Sequence, residues 1–271
     1  MIDSVRQPQE IPAAISPSRA SPRASKFFVD LKYLWLEQML EVRTTWYGFA
    51  IFSILLPLTI VFGFARIGSG LQDPTSLLYI VSGASVFAVA NDGIYSMAIR
   101  TGAMKKDGTL TYYASLPISK IAFMMAMIFS RLLLTLPGML IPILFGQLIY
   151  KINIQLSPWI VVLVPLTALS LSSIGMAVGV LIDNLEIIQM VVNLLLFVLI
   201  MAAPVFMPMA ALPLPLQLLA YCLPPSYAAD ALRQALSGTI GVTFFSDLGI
   251  LTLMTLVSFA VLTRWLTWRQ R

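Results

Sequence analysis

Two apolar runs, Leu77 to Ile99 and Ile121 to Ile149, flank the basic, Gly-punctuated stretch Arg100 to Lys120. As a helix the first run is roughly 35 Å long at about 1.5 Å per residue, against a hydrocarbon core of about 30 Å, so it can span a bilayer. The second exceeds that need and must tilt, kink at Pro137 or Pro142, or project from the membrane. Between them Asp107-Gly108 signals a turn, Thr109 is placed to cap a helix, and Leu110, Tyr113 and Ala114 recur at helical spacing until Pro117 ends the pattern. The stretch reads as a short amphipathic helix held between two membrane helices, with an ordinary solvated loop as the alternative.

Six apolar spans follow from the same pattern: about Trp46 to Phe64, Leu77 to Ile99, Ile121 to Ile149, Trp159 to Ile182, Ile187 to Met207 and Leu248 to Leu266. The chain is 59% hydrophobic and 11% charged, against about 25% charged in soluble domains. The fold class is thus an all-α polytopic membrane protein. A net charge of +5 raises nucleic-acid binding, but the basic residues flank the spans instead of gathering on one polar domain. The absence of His and the single Cys222 remove disulfide frameworks and His- or multi-Cys-ligated metal sites.

Residues 1–25, rich in Pro, Ser and Arg without an apolar run, read as a disordered cytoplasmic tail, and residues 26–271 as the transmembrane domain. Within 26–43, Phe28, Leu31, Trp35, Met39 and Val42 share one helical face, opposite Asp30, Glu37 and Glu41. That is an interfacial helix, either snorkelling its marginal Lys32 and Arg43 to phosphates or packed on a soluble protein. Lys and Arg number six in the N-terminal segment, four in the 100–120 loop and three in the C-terminal tail, while the other side holds Arg66, Lys151 and Arg233. Both termini and the loop are therefore expected in the cytoplasm. The segment 208–241 is apolar but broken by prolines, which suits a re-entrant hairpin on the outer face. Inside it Ser226 is placed to cap a helix from Tyr227 to about Leu236, with Asp230 and Arg233 one turn apart and Gly238 as the stop.

No catalytic signature is present: H-E-x-x-H needs His, G-x-S-x-G does not occur, and the phosphate loop G-x-x-x-x-G-K-[ST] is missing. Any ATP-driven activity requires a partner chain. Asp92 in the second span and Arg131 in the third are ionisable groups at membrane depth, where each costs on the order of 2.5 to 3.5 kcal/mol on insertion scales. They read as a structural ion pair, as a proton relay or substrate contact at Asp92, or as an Arg131 that snorkels. Gly175 and Gly179, with Ser172, form a small-residue stripe for close helix contact.

Two pieces of sequence carry a family resemblance. Lys106-Asp107-Gly108-Thr109-Leu110 followed by Leu116-Pro117 is similar to an acidic-Gly-Thr-Leu and Thr-Pro pattern, and Pro225-Ser-Tyr227-Ala-Ala-Asp230-Ala-Leu-Arg233 ending in Gly238 is similar to a Pro-x-x-Tyr-x-x-Asp-x-x-Arg element. Both belong to the permease subunit of type-2 ATP-binding-cassette (ABC) exporters, which the chain resembles from Lys26 onward. It departs from them in carrying Lys105-Lys106-Asp107 where Arg-Glu is common and Leu116 where Thr is common. The resemblance implies a gate or connecting helix over Lys26 to Arg43, a coupling helix over Gly108 to Ser115 that docks on the ATPase through the loop residues, and extracellular re-entrant helices over Pro208 to Gly238. It further implies a bacterial-type inner-membrane homodimer that exports an amphiphilic, lipid-like or drug-like cargo, with ATP and Mg held by a partner ATPase and no cofactor in this chain. A proton-coupled secondary transporter using Asp92 is the alternative.

Overall fold

The computed structural model describes residues 23–66, 74–152, 154–155, 157–202, 205–206 and 208–265. No strand occurs among them. Helix α1 covers Arg23–Arg66. Next come α2 (Pro74–Ala90), a π-helical turn (Asn91–Ser96), α3 (Met97–Lys106) and the short α4 (Thr109–Ser115). The chain continues with α5 (Lys120–Leu148), α6 (Ile160–Leu181) and α7 (Leu185–Ala202), and closes with α8 (Leu214–Tyr221), α9 (Pro224–Ser237) and α10 (Val242–Trp265).

Four helical stretches among the described residues are long and apolar enough to cross a membrane: Thr75–Lys106, Lys120–Leu148, Ile160–Leu181 and Val242–Arg264. Two shorter apolar stretches, Ser53–Gly63 and Leu185–Ile200, accompany them. The chain is an all-helical integral membrane protein. Its central element is the rod formed by α2, the π turn and α3, of whose most apolar window 83% is buried, against 17% for α10. Helices α5, α6 and α9 pack around this rod, α1 lies along α5, and α10 lies along α6.

Small residues bring the rod and α6 together. A Cβ at Gly179 would come within 2.5 Å of the Ala98 carbonyl oxygen and 3.1 Å of the Gly102 amide nitrogen. One at Gly175 would run into the carbonyls of Gly93 and Ile94 in the π turn. Backbones this close gain dispersion contacts without any side chain between them. Several buried hydroxyls inside the spans turn back on their own helices: Ser85 donates to the Val81 carbonyl (2.9 Å), Ser130 to Met127 (2.8 Å) and Ser173 to Leu169 (2.6 Å). That is how polar groups are satisfied where water is absent.

Several boundaries differ from the sequence reading. The interfacial helix and the first span are one continuous helix, because the polar residues near Arg43 do not remove a backbone donor and nothing there breaks the ladder. Residues 23–25 belong to that helix, and the rest of the expected tail lies outside the described residues. Phe28 and Trp35 of the apolar face are exposed (68% and 40%), while Leu34 and Gln38 are buried. Residues Arg100–Lys106 are not loop but the end of the rod. Gly108, not Thr109, occupies the N-cap of α4, at a φ of 74° that favours glycine. Helix α9 begins at Pro224 with Leu223 as its cap, so Ser226 lies inside it. Two prolines fit the first turn, where the missing N–H costs nothing.

Because α6 meets the rod backbone to backbone, Gly179→Ala is expected to lower stability by about 1–3 kcal/mol through overpacking. Gly249→Ala on α10, where a Cβ meets nothing within 4 Å, is expected to be neutral or to gain up to about 1 kcal/mol of helix propensity. Thermal unfolding of the two purified variants in detergent checks the contrast.

Candidate functional site

The 107–119 end of the molecule is built on a second, smaller core. Tyr113 is 7% exposed and stacks on Phe123 with ring centroids 4.8 Å apart. Around them pack Leu34, Met97, Met124, Met127, Met176 and Leu262, with Leu110, Leu116 and Ile118 at the margin. Asp107 and Gly108 make the turn out of the rod. The Tyr112 amide then donates to the Gly108 carbonyl (3.0 Å), and the Leu116 amide to Tyr113 (3.2 Å) before Pro117 ends the helix.

This short helix is tied to the N-terminal half of α1. The Tyr113 hydroxyl donates to the Glu37 carboxylate, and the Ser119 amide donates to Asp30 (3.4 Å). At the residue after Glu37, Arg100 donates to the buried Gln38 (2.6 Å). Lys105 closes the rod's end against α6 by bonding the Val180 carbonyl (2.7 Å) and pairing with Asp183. The side of α1 turned to the protein is thus mixed: Leu34 and Gln38 are buried, with Phe27 and Leu31 packed on the same core, while Phe28 and Trp35 are turned outward.

Of the residues singled out in the loop, Leu110 and Tyr113 face this core instead of forming an outward docking face. Lys106, Asp107, Gly108 and Pro117 are exposed, Thr109 and Leu116 half-buried. Tyr112, 62% exposed, was not singled out. Its position one residue before the buried Tyr113 was the available signal, since neighbours on a helix point about 100° apart.

At membrane depth Asp92 is 2% exposed on the π turn and accepts a hydrogen bond from Ser53 of α1 (3.3 Å), and Arg131 of α5 attracts it electrostatically. Ser53, 39 residues away, is a partner of Asp92 to which the sequence did not point. π turns recur at functional sites because they re-aim side chains out of helical register.

The opposite end of the rod holds α9. Arg233, 7% exposed, donates to the Ser82 hydroxyl (3.3 Å) and the Val205 carbonyl (3.2 Å), pairs with Asp230, and lies 4.1 Å from the centre of the Tyr79 ring. Burial pushes the Asp230 carboxyl above its ordinary range, with Arg233 pulling the other way. Pro225 is buried, the Tyr227 hydroxyl donates to the Tyr221 carbonyl of α8 (2.8 Å), and Gly238 ends α9 at a φ of 71°. The freed carbonyls of Ala235 and Leu236 take the amides of Ser157 and Gln155. Sequence spacing set Asp230 and Arg233 one turn apart, but did not point to their pairing or to Ser82 and Tyr79 on the rod.

These features define a helical integral membrane domain without an ATP-binding loop, carrying a short polar-tethered helix at one end of a buried rod. The chain belongs to the ABC-2 type transporter family, whose sequence model matches residues 29–237. No curated protein matches it significantly. It is an ABC-type permease domain, of a family that normally works with an ATPase subunit.

The tether of α4 yields a graded expectation. Tyr113→Phe keeps the ring and loses one hydrogen bond, costing about 1 kcal/mol. Tyr113→Ala empties the space against Phe123 and costs about 3–5 kcal/mol. Denaturation midpoints in detergent measure both, and equal losses would show that the ring contributes nothing beyond its hydroxyl.

Proposed function

We propose that this chain is the permease half of an ATP-driven exporter, working as two copies with two ATPase chains. In this reading there are six spans with both termini in the cytoplasm of a bacterial-type inner membrane, Ser53–Gly63 and Leu185–Ile200 being the membrane-embedded parts of the first and fifth. Helix α4 is the coupling helix, and the paired helices α8 and α9 form the outer re-entrant hairpin. The cargo is an amphiphilic, lipid-like or drug-like molecule moved outward between the two copies.

The observation that carries the proposal is the form of α4. Seven residues are set off from the apolar rod by a left-handed glycine and anchored inward by Tyr113. Tyr112, Lys106 and Asp107 are left outward for a soluble partner. A motor that pushes this helix acts on α1 through Glu37 and on the rod through the Gly108 turn. ATP and Mg belong to the partner, since this chain has no phosphate loop.

A second reading, a proton-coupled carrier, rests on Asp92 being buried beside Ser53 on the π turn, where an intramembrane carboxyl is a functional candidate. Transport driven by a pH gradient without ATP favours it, and dependence on a co-purifying ATPase favours the exporter.

Tyr112→Asp tests the exporter reading. Tyr112 lies outside the core, so the variant is expected to insert and fold normally while losing at least about tenfold in ATP-driven export, the equivalent of 1.4 kcal/mol of docking energy. Wild-type export and ATPase association in that variant contradict the assignment.

A further inference from the structure

A groove of about 500 Å³ runs between the N-terminal half of α1 and the middle of α5, lined chiefly by Phe28, Trp35, Phe129, Leu133 and Leu136 with Lys32 among them. Its size lies within the ~300–1,000 Å³ of small-molecule sites. Lys32 is the one charged group in the lining, and no carboxylate answers it there. Phe28, Trp35 and Leu133 are 68%, 40% and 53% exposed, so the groove opens away from the protein core.

We propose that this groove binds an anionic phospholipid of the surrounding leaflet, with an acyl chain along Phe129, Leu133 and Leu136 and the phosphate on Lys32. The lining residues of α5 belong to a stretch long and apolar enough to cross a membrane, so acyl chains are the molecules at hand to fill an apolar recess. The ammonium then selects among them, because it donates charge-assisted hydrogen bonds to phosphate and is attracted by net negative headgroups. Its aliphatic stem lies on the apolar wall while its head reaches the interface. A second copy of this chain is the poorer occupant: a two-fold contact between these grooves brings a lysine from each copy into one apolar interface, with no carboxylate in either lining to pair with them. The site lies apart from α4, and nothing in its assignment depends on ATP-driven export.

Trp35 reports occupancy directly. The full chain is reconstituted into phosphatidylcholine vesicles containing a matched small fraction of either dibrominated phosphatidylglycerol or dibrominated phosphatidylcholine, and tryptophan quenching is recorded. The Trp35→Phe variant is measured in parallel, so that the difference isolates Trp35 from the other tryptophans. Quenching of Trp35 is expected to be about fivefold more sensitive to the anionic lipid, the preference one lysine confers. Lys32→Gln is expected to abolish that preference while phosphatidylcholine still quenches, and Lys32→Arg to retain it. Equal quenching by the two lipids in the wild type overturns the proposal, as does a preference that survives Lys32→Gln. Shielding of Trp35 from both lipids overturns it too, and identifies a protein neighbour in the groove. Because no ATPase is present, these outcomes are independent of whether Tyr112→Asp impairs export.

Discussion

The contact on which the molecule depends is the backbone-to-backbone approach of α6 to the rod formed by α2, the π turn and α3. In lipid, burial of apolar surface gives little preference for one helix packing over another, so close fit has to supply it. Gly175 against the π turn and Gly179 against Ala98 make that fit possible. The remaining helices take their places from it: α5 and α9 pack on the rod, α1 on α5, and α10 on α6 and α9.

A rod held this way connects two polar ends. At one, Arg100 and Lys105 fasten it to Gln38 and Asp183, and the Gly108 turn leads into α4. At the other, Ser82 and Tyr79 receive Arg233 of α9. A buried cation costs free energy unless paired and hydrogen-bonded, and Arg233 recovers it from four groups in three parts of the chain. Between the ends sits Asp92, held by Ser53 of α1. The continuous, close-packed rod therefore joins α4 at one end to α9 at the other, with the π turn as its one irregular step.

Much of this was legible in the sequence where the cause is local. Apolar runs of membrane length, the Asp107-Gly108 turn, the stop at Pro117, the Asp230–Arg233 spacing and the Gly238 terminator each act within a few residues. The continuity of α1 through Arg43 and of the rod through Lys106 was not legible, because polar side chains mark where a helix leaves the apolar phase and not where its hydrogen bonds end. Nor were Glu37 for Tyr113 or Ser82 for Arg233, partners 76 and 151 residues apart. The face of α1 was legible only in part: Phe28 and Trp35 of its apolar stripe are exposed, and Leu34 and Gln38 beside that stripe are the residues buried.

Hydrogen–deuterium exchange of the purified protein in lipid nanodiscs tests the primacy of the rod most directly, since exchange through local opening ranks segments by their stability. If the rod is what the other helices depend on, amides of Ile80 to Ala98 exchange last, and Gly179→Ala speeds their exchange together with that of α4. Slower exchange in α10 or the outer half of α5 than in the rod, or loss of protection in Gly179→Ala confined to α6, would contradict it.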